Sequence, residues 1–264
     1  GWSDPVATRS IAWAFADACK AEYGAKLADA RIDLPALYEL DRKWTERGDY
    51  LDIRFDTKTT VWEALQAIAR AGRGKPFNQG GMVRIVRDQP QSVPSGMFTM
   101  RNIVKGSFKV QYLMPTEETA DAVDIEYFDS RIWKWKTVTA KMPDSIAEKP
   151  VSVKLLGVTN RDQAWREGMY MAACNRFRRR IITLTTEMEG FIPTMGDLCL
   201  IAHDMPQWGQ SASVKAYDHA TRTLTLTEPL TWKDGETHYI ALRRPNGSVF
   251  GPAVVTKGET ENQC

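Results

Sequence analysis

Asp124 and Glu126 stand two residues apart in the stretch AVDIEYF. On a strand that spacing puts both carboxylates on one face, roughly 7 Å apart. Two acids so placed could serve as general acid and base on a glycosidic bond. The same pattern also describes a half-buried strand, with Val123, Ile125 and Tyr127 on a core and the acids in water, and this simpler reading is preferred. Trp133 and Trp135 in IWKWKT raise a parallel choice. On one strand face they could stack on a sugar ring; as core residues they would leave Lys134 and Lys136 outside, and the core reading is favoured.

The most basic passage is NRDQAWREGMYMAACNRFRRRIITLT, residues 160–185. Asn160 and Gln163 suit a capping box, with Asp162 in the first turn where the helix dipole favours an anion. Ala164, Trp165, Met169, Met171, Ala172, Ala173 and Phe177 make the helix apolar on more than one face, as expected of a helix packed on several sides. Arg176, Arg178, Arg179 and Arg180 then fall at its C-terminal end, where cations complement the dipole and bond free carbonyls. A helix end accounts for most of the run. A contact to passing DNA or to a neighbouring subunit remains the alternative, without the aromatic platforms of nucleic-acid readers.

Other chemistries fail on spacing. His203, His219 and His238 have no H-x-x-x-H or C-x-x-C partner, so no metal site is expected. No G-x-S-x-G elbow exists to pair a histidine with a nucleophile. Cys19, Cys174, Cys199 and Cys264 are scattered and read as buried free thiols of a reducing compartment. AGRGKP suggests a phosphate loop, but Ala69 stands where the Walker glycine belongs and Pro76 follows Lys75. No catalytic residue, cofactor or metal is therefore assigned.

The elements that would carry these residues follow from periodicity. The 264 residues are 43% hydrophobic and 26% charged, with a net charge of +2. That composition belongs to a globular chain and gives no polyanionic partner by itself. No apolar run reaches the roughly 20 residues of a membrane span, and no signal peptide is expected. The opening Gly1–Trp2 and the polar close at Cys264 read as a piece of a longer protein.

Asp4–Pro5 predicts the start of a helix that runs with Ile11, Phe15, Ala18 and Cys19 to Gly24. A second helix is expected from Asp33 to Gly48, with Leu37, Leu40 and Trp44 on its inner face. Leu51, Ile53 and Phe55 alternate like a strand. Thr60 and Glu63 form a capping box before a third helix bearing Val61, Leu65, Ile68 and Ala69. Gly80–Gly81 leads into a strand from Met82 to Val86.

DQPQSVPSG, residues 88–96, is a linker by composition. Short β-rich runs dominate after it, with turn signals at Asp234–Gly235 and Asn246–Gly247. The expected fold class is α+β. Residues 1–95 form a mixed helix and strand domain, and residues 96–258 an antiparallel β barrel or sandwich carrying one long helix at about 160–180. Residues 259–264 are a polar tail.

The order of these pieces carries a resemblance. DPVATRSIAWAFADACKAEYGAKL, IDLPALYELDRKW, RFDTKTTVWEALQAIARAGRGKPFNQGGMVRIVRDQP and FTMRNIVKGSFKVQY together resemble the hub region of the tail tip attachment, or host-specificity, proteins of lambda-like phages. VTNRDQAWREGMYMAACNRFRRRIITLTTEMEGFIPTMGDLCLIAHD is similar to the next segment of that family, with its Gly-Asp turn at Gly196–Asp197. The likeness runs from about Asp4 to RRPNGSV and rests on many weak matches in one order.

The resemblance implies a structural segment of a virion protein closing the distal end of a non-contractile tail. It implies a homotrimeric ring, other tail tip and tail tube proteins as partners, DNA only in passage, and no catalytic motif. It also implies barrel-like hub domains with inserted α/β pieces, synthesis in the bacterial cytoplasm, and residence in the virion. Receptor recognition would belong to regions beyond these residues. The near-neutral charge suits a lumen that lets DNA pass. Nine tryptophans and ten methionines exceed the needs of a minimal core and suit subunit contacts. Arg176, Arg178, Arg179, Arg180, Trp133 and Trp135 are the interface candidates. A tail-associated cell-wall glycosidase and a carbohydrate-binding module are the alternatives.

Overall fold

The computed structural model describes Asp4 and residues 6–116 and 119–264. These residues adopt a mixed α+β fold and group into two compact units, neither continuous in sequence. One comprises residues 1–88 and 112–180, the other residues 89–111 and 181–264. The first crossing falls at the head of the proline-bearing linker. The contiguous division at residue 95 does not describe these units, because residues 112–180 pack with the N-terminal segment.

Helix α1 (Ile11–Lys20) starts at Ser10, whose hydroxyl accepts the Trp13 N–H at 3.1 Å. The start expected at Asp4 is therefore displaced, Pro5 lies outside the described residues, and the helix stops four residues before Gly24. Helix α2 (Leu34–Arg47) is capped by Asp33 and ends at Gly48 in the left-handed region. Helix α3 (Val61–Arg70) has the full reciprocal box between Thr60 and Glu63. Strands β1 (Gly74–Gln79) and β2 (Met82–Arg87) form an antiparallel hairpin. Its two turn residues, Gly80 and Gly81, both have positive φ, which glycine takes without steric cost.

The segment around Leu51–Phe55 joins no sheet. Leu51 N–H donates to Arg9 O and Asp52 N–H to Gly157 O, and these isolated bonds replace a ladder. Next come β3 (Gly96–Thr99), β4 (Lys109–Tyr112), β5 (Ala122–Asp129), β6 (Lys134–Lys141) and β7 (Pro150–Lys154). Strand β5 is central in a three-stranded sheet, antiparallel to β6 and parallel to β7. Helix α4 (Arg161–Phe177) covers one face of it. Gly168 makes this approach possible: a Cβ there would lie 2.7 Å from Ala140 Cβ and 2.8 Å from Ile125 Cγ1.

One hydrophobic core serves α1 to α4, the β1–β2 hairpin and the β5 sheet, with Ile11, Phe15, Trp44, Ile68, Ile125 and Leu155 among its members. Helix α4 buries one face only, through Gln163, Ala164, Glu167, Gly168 and Ala172, while Trp165 and Phe177 are exposed. The expectation of a helix apolar and packed on several sides is corrected accordingly.

The face is partly polar because it meets loop backbone. Gln163 does not close a capping box. Buried, it accepts the Tyr50 N–H at 3.1 Å and donates to the carbonyls of Tyr50 and Ala71 at 3.0 and 2.9 Å. Glu167 receives Arg73 through two parallel bonds of 3.0 and 2.9 Å. Buried Asp49 takes Arg47 and Arg166 at 2.8 and 2.6 Å.

The second unit contains β8 (Arg180–Thr183), β9 (Cys199–Ala202), β10 (Val214–Asp218), β11 (Thr223–Leu226), β12 (His238–Arg243) and β13 (Val249–Val255). They pair only in twos: β3 runs parallel to β9, β4 lies beside β8, and β10–β11 and β12–β13 are antiparallel hairpins. No sheet closes into the expected barrel among the described residues, and bulges break the register of both hairpins. Asn246–Gly247 does turn β12 into β13, whereas Asp234–Gly235 joins no paired strands. The tail is not free either, since Cys264 and Leu224 exchange two backbone hydrogen bonds.

Candidate interface surfaces

The arginines after α4 are committed to local partners. Arg176 pairs with Asp144 and Arg178 with Asp88; Arg179 donates to the carbonyls of Arg176 and Leu113. Arg178 is itself the C-cap residue. Arg176 and Arg178 are thus neutralised by acids, while Arg179 bonds carbonyl oxygens at the helix end and at Leu113. Asp88 also accepts the hydroxyl of Tyr170, over whose ring the Arg73 guanidinium lies 3.8 Å from the centroid. The Arg178 hydrogen bond holds the Asp88 carboxyl below its usual range, while burial and then the bond to Asp88 push the Tyr170 phenol up. Asp88 and Tyr170 were not singled out in the sequence, because residues so far apart give no local signal.

Trp133 and Trp135 are outside the core. Trp133 sits in the turn before β6 with φ 55° and is 77% exposed; Trp135, on β6, is 42% exposed. Both meet the half-buried Phe128 ring edge-on, at 6.0 and 5.6 Å between centroids. Lys154 Nζ lies 3.7 Å from the Trp135 ring centroid. The register explains this placement. Phe128 pairs with Trp135 and Glu126 with Thr137, on the face opposite Val123, Ile125 and Tyr127. Asp124 and Glu126 occupy that same outer face, Asp124 accepting from Thr139 and Glu126 lying 3.8 Å from Lys154. The sheet thus brings together the acids and Trp135, which the sequence treats as separate features.

The histidines stay apart. His203 stacks on Phe108 with centroids 4.0 Å apart, His219 meets Tyr217, and His238 accepts the Lys233 N–H. No group of three potential metal ligands occurs among the described residues. All four thiols are free; only Cys19 is fully buried, and burial pushes it up to about 11. No helix among the described residues is long and apolar enough to cross a membrane.

The second unit has an open groove of about 680 Å³, with Met97, Leu200, Leu226, Trp232, Ile240 and Leu242 in its lining. Its polar rim is closed on itself. Arg101 pairs with Glu228 at 2.6 Å, and Glu189 receives Arg243 and Asn102. The Arg243 hydrogen bond leads in holding the Glu189 carboxyl low. Beside this rim, Met188 and Phe191 are 77% and 81% exposed. Sequence reading passed over them, although MEGFIPTM sets four large apolar residues among only one charge.

Comparison with known proteins gives these surfaces a context. The tip attachment protein J of Escherichia phage SECphi27 is 24% identical over 232 residues, covering 82% of this chain and 19% of that protein. The chain therefore spans about a fifth of that relative's length. Three solved structures are similar in part. A tail protein from Neisseria meningitidis MC58 aligns with a TM-score of 0.46 and 17% identity, over 69% of this chain and 60% of its own. The 43 kDa tail protein of prophage MuSo2 from Shewanella oneidensis gives 0.42 and 10%, over 61% and 51%. A chain of the native gene transfer agent virion gives 0.48 and 20%, over 66% and 37%. The profile of a family described as "Putative phage tail protein" matches residues 60–215, more than half of the chain, and the protein belongs to that phage tail family.

Proposed function

We propose that the chain is a structural segment of a phage tail tip: a hub piece that assembles with two further copies of itself and with other tail proteins, and past which DNA travels. The observation that carries this reading is the match to a tip attachment protein over 82% of the chain. Exposed apolar side chains in both units, Trp133, Phe177, Met188 and Phe191 among them, support a surface made for neighbours. The proposed residence is the virion after synthesis in the host cytoplasm, and the proposed role is non-enzymatic. Trp133, Trp135 and the arginines after α4 are proposed contact residues. Arg176 and Arg178 act there through local ion pairs, and DNA is a passing molecule rather than a ligand.

The test is the solution mass as a function of concentration, by light scattering coupled to gel filtration. A rise from one chain towards three is expected. A strict monomer at every concentration would overturn self-assembly by these residues.

A second reading has one specific observation in its favour: Trp135, Asp124 and Glu126 share an outer sheet face, beside exposed Trp133. That face would suit a saccharide. Quenching of tryptophan emission by peptidoglycan fragments, lost in Trp135→Ala, would favour it. Sugar release abolished by Asp124→Asn or Glu126→Gln would extend it to hydrolysis.

A further inference from the structure

One corner of the first unit holds more positive charge than it neutralises. Arg47 ends α2, Arg73 lies in the turn before β1, Arg87 ends β2, and Arg166 stands on α4 beside Glu167. Two buried carboxylates answer them. Asp49 takes Arg47 and Arg166, and Glu167 takes Arg73. Asp88, which also feels Arg73, is held by Arg178. Arg87 has no carboxylate of its own. Its Nε donates to the Gly72 carbonyl at 3.2 Å, an oxygen that also accepts the Trp44 indole N–H at 2.8 Å. Four guanidinium groups thus share two carboxylates.

Solvent does not disperse the excess. Arg87 is 7% exposed, and its Nη2 is a buried donor without an acceptor among the described residues, as is the Nε of Arg166. Burial leads in pushing the Arg87 guanidinium down from its ordinary pKa, and the charges of Arg47 and Arg73 add to it, so the three cations act on one another. A buried donor left unpaired and a buried cation left unneutralised are both costly, and protein interiors answer them with an ordered water or an ion. A water would take the hydrogen bond and leave the charge. An anion takes both.

We infer that this corner binds a small oxyanion of the phosphate class, held by Arg87 from within and by Arg47 from the solvent side. The guanidinium fork matches two oxygens of such an ion. The recess of Arg87 favours a free ion over a phosphate carried on a macromolecule. Arg47 is partly exposed, holds Asp49 through Nε, and can turn its outer edge to the ion without backbone movement. So placed, the ion braces the end of α2, the turn at Gly72 and Arg73, β2 and α4. The site lies within one chain and is independent of the hub reading.

The experiment titrates the full chain with inorganic phosphate by isothermal calorimetry, at an ionic strength held constant with chloride. One saturable site is expected. Arg87→Met, which keeps an apolar stem in the core, should weaken it about tenfold or more, the effect of losing one charge-assisted hydrogen bond. Arg47→Gln should weaken it as well, and decides the matter if circular dichroism shows Arg87→Met unfolded. Arg161→Gln removes an exposed charge from the first turn of α4 and should leave the affinity unchanged. The urea midpoint of the parent should rise with the logarithm of phosphate concentration once the site fills, and that rise should be absent in Arg87→Met. Absence of saturable binding, or equal affinity in the parent and both cluster variants, overturns the inference. An equal loss in Arg161→Gln also overturns it, by reducing the effect to net charge.

Discussion

Gly168 is where α4 rests on the β5–β6 sheet, and alanine there tests that packing most directly. On helix propensity alone Gly168→Ala should stabilise by about 1 kcal/mol. Tertiary geometry opposes this. The new methyl would stand 2.7 Å from Ala140 Cβ and 2.8 Å from Ile125 Cγ1. Neither distance is tolerated between real carbon atoms. Ala140 Cβ is fixed to a strand backbone, so the helix must lift or the sheet must bend. Overpacking of this kind costs about 1–3 kcal/mol, and because Ile125 and Ala140 are completely buried the upper half of that range is expected. The net effect is a loss of about 1–2 kcal/mol. Urea unfolding followed by circular dichroism should show a lower midpoint at unchanged slope. Adding Ala140→Gly should recover part of the loss, giving a coupling of opposite sign to the single effects. A Gly168→Ala chain as stable as the parent, or more so, would mean that α4 does not sit this close to the sheet.

Two further outcomes follow from buried and paired charges. Glu167→Gln breaks the bidentate pair with Arg73 while leaving the guanidinium largely buried, and should destabilise by about 3–5 kcal/mol; a change below about 1 kcal/mol in the same urea assay would refute the pairing. Stability should also fall in acid. Arg178 holds Asp88 and Arg9 holds Asp52 below the ordinary carboxylate range in the folded chain. Their contribution is present above the unfolded value of about 3.9 and is lost as pH falls through the lower folded values. The urea midpoint should be nearly level from pH 7 to 5 and drop below about pH 4, with a smaller drop in Asp88→Asn; a midpoint that rises in acid would contradict the sign.

Helix ends with purely local causes were legible. The box at Thr60 and Glu63 and the caps at Asp33 and Gly48 are each made within one turn of chain, and they form as the residue pattern dictates. Gln163 shows the limit. Its spacing from Asn160 spells a capping box, yet burial against Tyr50 and Ala71 offers its amide three better partners. Leu51–Phe55 shows a second limit, because alternation can mark an extended segment but cannot supply the neighbouring strand that makes it a sheet. The interface candidates were legible as residue types rather than as surfaces: Trp133 and Trp135 read as core, and the sheet register put them outside. The groove lining was invisible in the sequence, since nothing along the chain links residues brought together by separate hairpins.

The sequence by itself determined the helical segments of the N-terminal region, the α+β class and, through the order of many weak matches, the phage tail family. These rest on interactions within a few residues or on pattern along the chain. Tertiary structure alone decided that α4 belongs to the N-terminal core, that the carboxylates share a face with Trp135, and that Arg176 and Arg178 find acids. It also decided that the second unit keeps an open groove beside exposed Met188 and Phe191. Each of these depends on distant segments competing for the same buried surface or the same charge, and the outcome of that competition is set by three-dimensional packing.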